Sequence, residues 1–175
     1  MIKPELICPA GTPAALRSAV DAGADAVYCG YQNATNARNF VGLNFTPEEM
    51  EKSIRYAHDG GTKVLITLNT FPPGGNVQLW KDMADLSARL GADACIVADI
   101  AVAAHIQKHH PDMRIHLSVQ AAASSPEAIE YYVREFGVKR VVLPRIMTVS
   151  EIRGLVEEIP CEVETFIFGN HGLMV

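Results

Sequence analysis

The strongest constraint on the fold is a unit that recurs along the sequence, in which a short apolar run is followed by an amphipathic segment of helical length. Two junctions between these units are almost identical, because residues 22–26 read AGADA and residues 90–94 read LGADA. Glycine at such a point allows the left-handed turn that leads from a helix into the next strand. The recurrence predicts a chain of alternating strands and helices.

Seven apolar runs have the length of strands. They are almost continuously apolar, which is typical of parallel strands covered on both faces. Hydroxyl residues at Thr46, Ser125 and Thr148 stand just before acidic residues and indicate the starts of helices. The predicted strands are Glu5–Cys8, Ala26–Cys29, Lys63–Leu68, Ala94–Ala98, Arg114–Val119, Arg140–Leu143 and Val163–Phe168.

An open doubly wound sheet and a (β/α) barrel both fit this alternation. The first loop, Pro9–Pro13, lacks the glycine-rich pattern of a nucleotide site in an open doubly wound sheet. We therefore predict an α/β fold, a TIM-barrel-like (β/α) barrel with seven parallel strands in one domain over residues 1–175. The sequence stops at Val175, just past the seventh run. We expect an incomplete barrel from the N-terminal part of a longer protein, with an apolar open seam that supports self-association.

Composition bounds the class of protein. Hydrophobic residues make up 49% and charged residues 20% of the sequence, with a formal net charge of −5. This balance gives no general attraction to nucleic acid or to an anionic membrane. The amino-terminal segment lacks the apolar core of a signal peptide, and the longest near-apolar run, Ala94–Ile106, is too short to span a bilayer. Four scattered cysteines without a CxxC pair are typical of reduced thiols, so we expect a cytoplasmic protein.

Polar side chains collect at the predicted carboxyl ends of the strands, where (β/α) barrels build their active sites. Arginine presents a planar fork that matches carboxylate or phosphate groups, so this rim predicts a site for a small anionic molecule. Alternatively, these side chains cap backbone groups at the ends of strands and helices. The candidate binding residues are Asn36, Arg38, Asn39, Asn69, Gln120 and Arg145.

The loop after the second strand, Thr35–Phe45, mixes amides with large apolar residues. We expect Phe40, Leu43 and Phe45 to pin this loop over the barrel mouth by burying their side chains. That anchoring would place Arg38 above the strand ends, where it would share an anion with Arg145. The alternative is that Arg38 bridges to Asp99 or to a helix-terminal carbonyl.

Two cysteines fall at neighbouring strand ends. Cys8 and Cys29 are candidates for a catalytic thiol, although a buried cysteine more often acts as a small hydrophobic residue. The sequence contains no GxSxG motif and no other setting for a serine nucleophile. It therefore offers no protease motif.

Histidines suggest two further groupings. His105 and His109 are spaced i, i+4 on a predicted helix and could seat a metal, but histidines near a helix end are favourable without one. Surface histidines are the preferred interpretation, and we expect no metal on this chain. His116, Ser118 and Gln120 share one strand face, which points into the barrel or toward its mouth.

Several segments resemble a known family. TNARNFVGLNFT at 35–46, preceded by ICPAG at 7–11 and GADAVYCG at 23–30, resembles the collagenase-like peptidase family U-32. Within it, the likeness is greatest to the ubiquinone-biosynthesis branch, the UbiU-like proteins. Further matching segments are HLSVQA at 116–121, RVVLPR at 140–145 and VETFIFG at 163–169, so the likeness is collinear over the whole chain.

The resemblance implies a hydroxylation function. UbiU-like proteins hydroxylate the ubiquinone ring without molecular oxygen, together with a UbiV-like partner protein and with prephenate as the oxygen donor. Each partner of that pair holds a 4Fe-4S cluster on four cysteines. Other members of the family hydroxylate bases in RNA, and the founding description is a collagen-degrading protease.

This chain departs from the family pattern at its end. Residues 168–174 read FGNHGLM, so Gly172 stands where the family has its first cluster cysteine, and His171 is the only nearby substitute. We therefore expect no cluster on this chain. The alternatives to a UbiU-like role are a family peptidase, an RNA-base hydroxylation factor and a non-catalytic scaffold.

Overall fold

The computed structural model describes residues 4–168. Its strands form one sheet in which all neighbours are parallel and follow chain order, which confirms the predicted barrel-type α/β architecture. The fifth strand is shorter than predicted because the Ser118 hydroxyl caps a 3-10 turn at Val119–Ala121. The strands are β1 (Ile7–Pro9), β2 (Ala26–Gly30), β3 (Lys63–Leu68), β4 (Ala94–Val97), β5 (Arg114–Leu117), β6 (Arg140–Val142) and β7 (Glu162–Glu164).

One α-helix follows each of the first six strands. The predicted caps are confirmed, since the hydroxyls of Thr46, Ser125 and Thr148 accept hydrogen bonds from backbone N–H groups of the first turn. Glu49 and Glu151 complete reciprocal capping boxes at two of these starts. The helices are α1 (Pro13–Asp21), α2 (Pro47–Asp59), α3 (Gln78–Arg89), α4 (Ile100–His109), α5 (Pro126–Phe136) and α6 (Val149–Glu158).

The two faces of the sheet bury different sets of side chains. The outer face packs against the helices in the main core, where Leu16, Ile66 and Ile106 are fully buried. The inner face holds a smaller apolar cluster around Leu65 and Ile96. This division is typical of a sheet that curls with its helices outside.

Charged side chains fill the inner face at the amino ends of the strands. The guanidinium of Arg140 in β6 lies 2.6 Å from Glu5, just before β1, and 2.6 Å from Glu162 in β7. Lys63 pairs with the same Glu5, and Arg114 with the same Glu162. Since Glu5 and Arg140 flank opposite ends of the strand order, these contacts require the sheet to curl into a partial barrel.

The predicted seam follows β7. Several apolar side chains after β6, on α6 and after β7 are about half or more exposed: Ile146, Val149, Val156, Ile167 and Phe168. His171 and Gly172, which carried the prediction about the first cluster cysteine, lie outside the described residues. Among residues 4–168, no helix is long and apolar enough to cross a membrane.

Candidate functional site

Asparagine side chains build the loop over the carboxyl ends of the strands. The amide of Asn36 donates to the side-chain oxygen of Asn44 at 2.7 Å, and its own oxygen accepts from the backbone N–H of Arg38. Asn44 has φ 75°, a left-handed conformation that asparagine tolerates, and it donates to the backbone oxygen of Arg38. These bonds replace the backbone pairing that regular structure would supply.

The next strand end anchors the same loop. The side-chain oxygen of Asn69, just after β3, accepts a hydrogen bond from the backbone N–H of Ala37. The backbone N–H of Asn69 donates to the backbone oxygen of Thr35. Thr70 donates its hydroxyl to Ala34, and the indole N–H of Trp80 donates to Thr70. Asn36 and Asn69, both predicted to bind substrate, therefore position the loop.

Gly30 at the end of β2 allows this packing. A Cβ atom at Gly30 would lie 2.4 Å from the Thr67 hydroxyl oxygen and 2.5 Å from the Asn36 amide nitrogen. Both distances are far inside van der Waals contact, so the loop can approach the strand only because this residue lacks a side chain.

The apolar anchoring of the loop differs from the prediction. Phe45 is fully buried and its backbone pairs with the end of β2, so it holds the loop as expected. Phe40 is 58% exposed and Leu43 is 38% exposed, so these two residues do not pin the loop. The hydrogen bonds of Asn36, Asn44 and Asn69 hold the loop in place of these two apolar side chains.

The charges of both candidate arginines affect the pKa of the Tyr28 phenol. Tyr28 lies on the inner face of β2, beside the apolar cluster around Leu65. Burial raises the pKa of Tyr28, the charges of Arg38 and Arg145 both lower it, and Glu164 raises it further. Arg38 lies on the loop that Asn69 anchors just after β3, and Arg145 follows β6, so both residues belong to the rim at the carboxyl ends of the strands.

The two arginines are held differently. The guanidinium carbon of Arg145 lies 3.7 Å from the ring centre of Phe166, a cation–π contact that fixes it at the end of β6. Arg38 is exposed on the amide loop. Asn39 is also exposed, and Gln120 is half-buried in the turn capped by Ser118. The carboxylate of Asp99 caps α4, accepting from the backbone N–H groups of its first turn.

Among residues 4–168, side-chain atoms of His116 and Glu164 are buried inside the barrel without a hydrogen-bond partner. His116 of β5 is 2% exposed, and neither ring nitrogen has a partner. Burial lowers the pKa of His116 to about 3, with Arg140 contributing, so its ring is neutral at physiological pH. Burial raises the pKa of Glu164, whose Oε2 atom also lacks a hydrogen bond. His116 lines a cavity of about 120 Å³ at the amino ends of the strands, together with Arg140 and Glu162.

The four cysteines do not form a ligand set for an iron–sulfur cluster. Cys29 and Cys95 lie in register on strands that flank β3, about 10 Å apart by strand spacing. Each donates its thiol to a methionine sulfur, and burial raises the pKa of each to about 12. Cys8 and Cys161 are half-buried on other strands or loops. The expected absence of a cluster on this chain stays a prediction.

The histidine pairing differs from the one considered from the sequence. His109 stacks on His105 with ring centres 4.6 Å apart. The imidazoles that converge on a common partner are instead those of His105 and His110, which both reach Asp85 of α3. Nothing in the linear spacing marks Asp85, because helix packing alone brings it to these rings.

A family model described as Peptidase family U32 matches residues 11–175. The chain belongs to this family. A solved U32 peptidase superposes with a TM-score of 0.75 at 17% identity, covering 94% of this chain and 70% of that protein. That likeness supports the barrel-type fold.

Two relatives of this U32 chain carry hydroxylation names. The tRNA hydroxylation protein P1 of Bacillus subtilis (strain 168) is 35% identical over 167 residues, which are 95% of this chain and 39% of that protein. The tRNA hydroxylation protein P of Escherichia coli (strain K12) is 35% identical over 173 residues, 97% of this chain and 37% of that protein. The chain thus spans less than half the length of these relatives.

Sequence reasoning missed Tyr28 and Glu164 at the site. Alternation along β2 places Tyr28 on the same face as Gly30. Alternation along β7 and the residues after it places Glu164 on the same face as Phe166. The near-continuous apolar character of β2 hid Tyr28, because it gives no sign of which face turns inward, whereas Glu162 and Glu164 on either side of Val163 mark one face of β7 in the sequence itself.

Proposed function

We propose that this chain is the barrel part of a U32 protein that takes part in oxygen-independent hydroxylation of the ubiquinone ring. In this proposal the mouth binds the oxygen donor, a small dicarboxylate of the prephenate type, and a UbiV-like partner completes the reaction. The reaction takes place in the cytoplasm. The hydroxylation names of the relatives support the reaction type, and the segment at 35–46 supports the ubiquinone branch.

The single observation that supports this proposal is that Arg38, on the loop anchored after β3, and Arg145, just after β6, both belong to the carboxyl-end rim of the sheet. Two guanidinium forks can bind two carboxylate groups, and their charges compensate the desolvation of a dianion. The raised pKa of Tyr28 keeps its hydroxyl protonated at neutral pH, so it can donate a hydrogen bond to the same ligand. The role of these side chains is to bind and orient the oxygen donor.

A 4Fe-4S cluster supplies redox chemistry in the family that the chain resembles. The four described cysteines do not fit that group, so no step of this proposal passes through it. Electron transfer is assigned to the UbiV-like partner or to parts of the parent protein outside this chain.

Hydroxylation of an RNA base is the second candidate, and the names of the two relatives favour it. A tRNA site needs many cations to contact phosphates. This chain has a net charge of −5, and the mouth offers two arginines. These charges favour a small anion over tRNA for this part of the protein.

The two candidates differ in product. The parent gene would be deleted in its host, the cells grown without oxygen, and both quinones and digested tRNA nucleosides analysed by mass spectrometry. The proposal predicts accumulation of under-hydroxylated ubiquinone precursors and normal tRNA, with rescue by the parent gene but not by its Arg38→Ala, Arg145→Ala form. Loss of a hydroxylated tRNA nucleoside with normal ubiquinone would overturn it in favour of the RNA candidate.

A further inference from the structure

Three side chains from two neighbouring helices converge on one point of the outer helical layer. The Nε2 atoms of His105 and His110 lie 2.7 Å and 2.6 Å from the same oxygen, Oδ1 of Asp85. Asp85 belongs to α3, His105 to α4, and His110 ends α4. Their side chains are 35%, 12% and 24% exposed, so the group is partly shielded from water and still accessible.

Two imidazole nitrogens and one carboxylate oxygen are the donor set of many zinc sites with three protein ligands and an open fourth position. Imidazole suits zinc and neighbouring transition ions, whereas calcium and magnesium require several oxygen ligands. We propose that Asp85, His105 and His110 form a binding site for a divalent transition metal ion, zinc in the first instance. A water molecule would complete its coordination.

The two imidazole nitrogens need to move only slightly away from the Asp85 oxygen to accommodate a metal ion. With metal–ligand bonds of about 2.0–2.2 Å, the ligand atoms of a tetrahedral site lie about 3.3 Å apart. The two nitrogen–oxygen distances would therefore widen by about 0.6 Å. All three ligand atoms lie within 4.8 Å of one another, so rotations of the three side chains are enough to reach this geometry.

The site stands apart from the barrel mouth. Each helix runs back from the carboxyl ends of the strands, so the later turns of α3 and α4 lie toward the amino ends. Asp85 and His105 are in the second halves of their helices, and His110 follows the last turn. A metal ion here would tie α3 to α4 and stabilise the folded chain, and it would not touch the ligand proposed for the mouth.

The chain provides its own control. His58 also bonds an aspartate, Asp93, at 2.9 Å, but no second imidazole joins them. Asp93 also accepts from the backbone N–H of Val64, so its carboxylate is occupied by a structural bond. His109 stacks on His105 and provides a second control, because it is the residue that i, i+4 spacing would select instead of His110.

The test is a zinc titration of the untagged, chelator-treated chain in competition with a chromophoric chelator. The proposal predicts one zinc ion per chain, binding at least tenfold weaker in His110→Gln and in Asp85→Asn, and unchanged binding in His58→Gln and His109→Gln. Zinc should raise the midpoint of thermal unfolding in the unmodified chain and in the two controls, but not in His110→Gln. Affinity should fall below a pH of about 6.5, where imidazoles take up protons.

Cobalt distinguishes this site from the thiols, and its spectrum can be read on the unmodified chain. Bound to nitrogen and oxygen ligands, cobalt(II) should give visible bands without the near-ultraviolet band of a thiolate ligand, and a Cys8→Ser, Cys161→Ser double variant should bind it equally well. Substoichiometric binding, a thiolate band, or equal affinity in the unmodified chain and His110→Gln would each overturn the proposal. The cluster would then be a hydrogen-bonded tie between two helices.

Discussion

Arg140 and Glu5 are 135 residues apart in sequence, and their side chains lie 2.6 Å apart inside the barrel. Arg140 is 11% exposed and also contacts Glu162 and Glu164 of β7. One buried guanidinium thus compensates carboxylates from both ends of the strand order. The curl that places the mouth residues together depends on this contact as well as on apolar packing.

Replacement of Arg140 by alanine should lower the free energy of unfolding by about 2–3 kcal/mol, because the largely buried Glu164 and the partly exposed Glu5 and Glu162 lose their shared cation. Urea denaturation followed by circular dichroism would measure the change. Arg134→Ala is the matched control, since its pair with Glu135 is exposed and worth about 0–1 kcal/mol. A loss below about 1 kcal/mol in Arg140→Ala would mean that the interior charges are solvated.

Acid should remove the contribution of Glu5. Hydrogen bonds from Lys63 and then Arg140 lower the pKa of Glu5 from 4.5 to about 2. A carboxyl whose pKa is lowered by folding stabilises the fold above its unfolded pKa, and this contribution is lost as the pH falls through the folded value. Thermal unfolding midpoints of the unmodified chain and Glu5→Gln should therefore differ at pH 6 and converge as the pH falls from about 4.5 toward 2. A difference that stays constant over this range would contradict the assignment.

Replacement of Gly30 by alanine should displace Asn36 and loosen the loop over the mouth. The added Cβ would collide with Thr67 and Asn36, and the bonds from Asn36 to Asn44 and Arg38 would be strained or lost. We expect destabilisation of about 1–3 kcal/mol and faster proteolytic cleavage between residues 31 and 45. Gly74→Ala, which has no atom within 4 Å of its Cβ position, should leave both measurements unchanged. Equal cleavage of the two variants would show that the loop does not depend on this contact.

The thiols should react in two classes. Burial raises the pKa of Cys29 and of Cys95 to about 12, whereas Cys8 and Cys161 are half-buried. Brief alkylation of the folded chain at pH 8, read by mass spectrometry, should label Cys8 and Cys161 first and Cys29 and Cys95 only after unfolding. Rapid labelling of Cys29 in the folded chain would contradict this prediction and make Cys29 a candidate catalytic thiol.

Much of the fold could be read from local sequence signals. The caps at Thr46 and Thr148 and the apolar runs act within a few residues, so pattern alone located the elements and the parallel order. The loop over the mouth was read less well. Phe40 and Leu43 were expected to bury themselves, but hydrophobic character does not reveal that amides already satisfy and fix the backbone there.

The grouping of distant residues was the least predictable part. Asp85 meets His110 only because α3 packs on α4, and Arg140 meets Glu5 only because the sheet curls. Spacing rules cover one element at a time, so they selected His109 instead of His110. Such contacts depend on tertiary packing, which results from many residues acting together and cannot be read from any short segment of the sequence.

The central claim is that Arg38 and Arg145 bind one dianion at the barrel mouth, and calorimetric titration of this chain with prephenate tests it most directly. Arg38→Ala and Arg145→Ala should each weaken binding about tenfold or more, as expected for one charge-assisted contact of about 1.5–3 kcal/mol. Arg55→Ala is the control, because that side chain is exposed on α2 and pairs only with Glu51 on its own helix among the contacts described. The account predicts weakened binding in the two mouth variants and unchanged binding in the control. Binding in both mouth variants as tight as in the unmodified chain would contradict it.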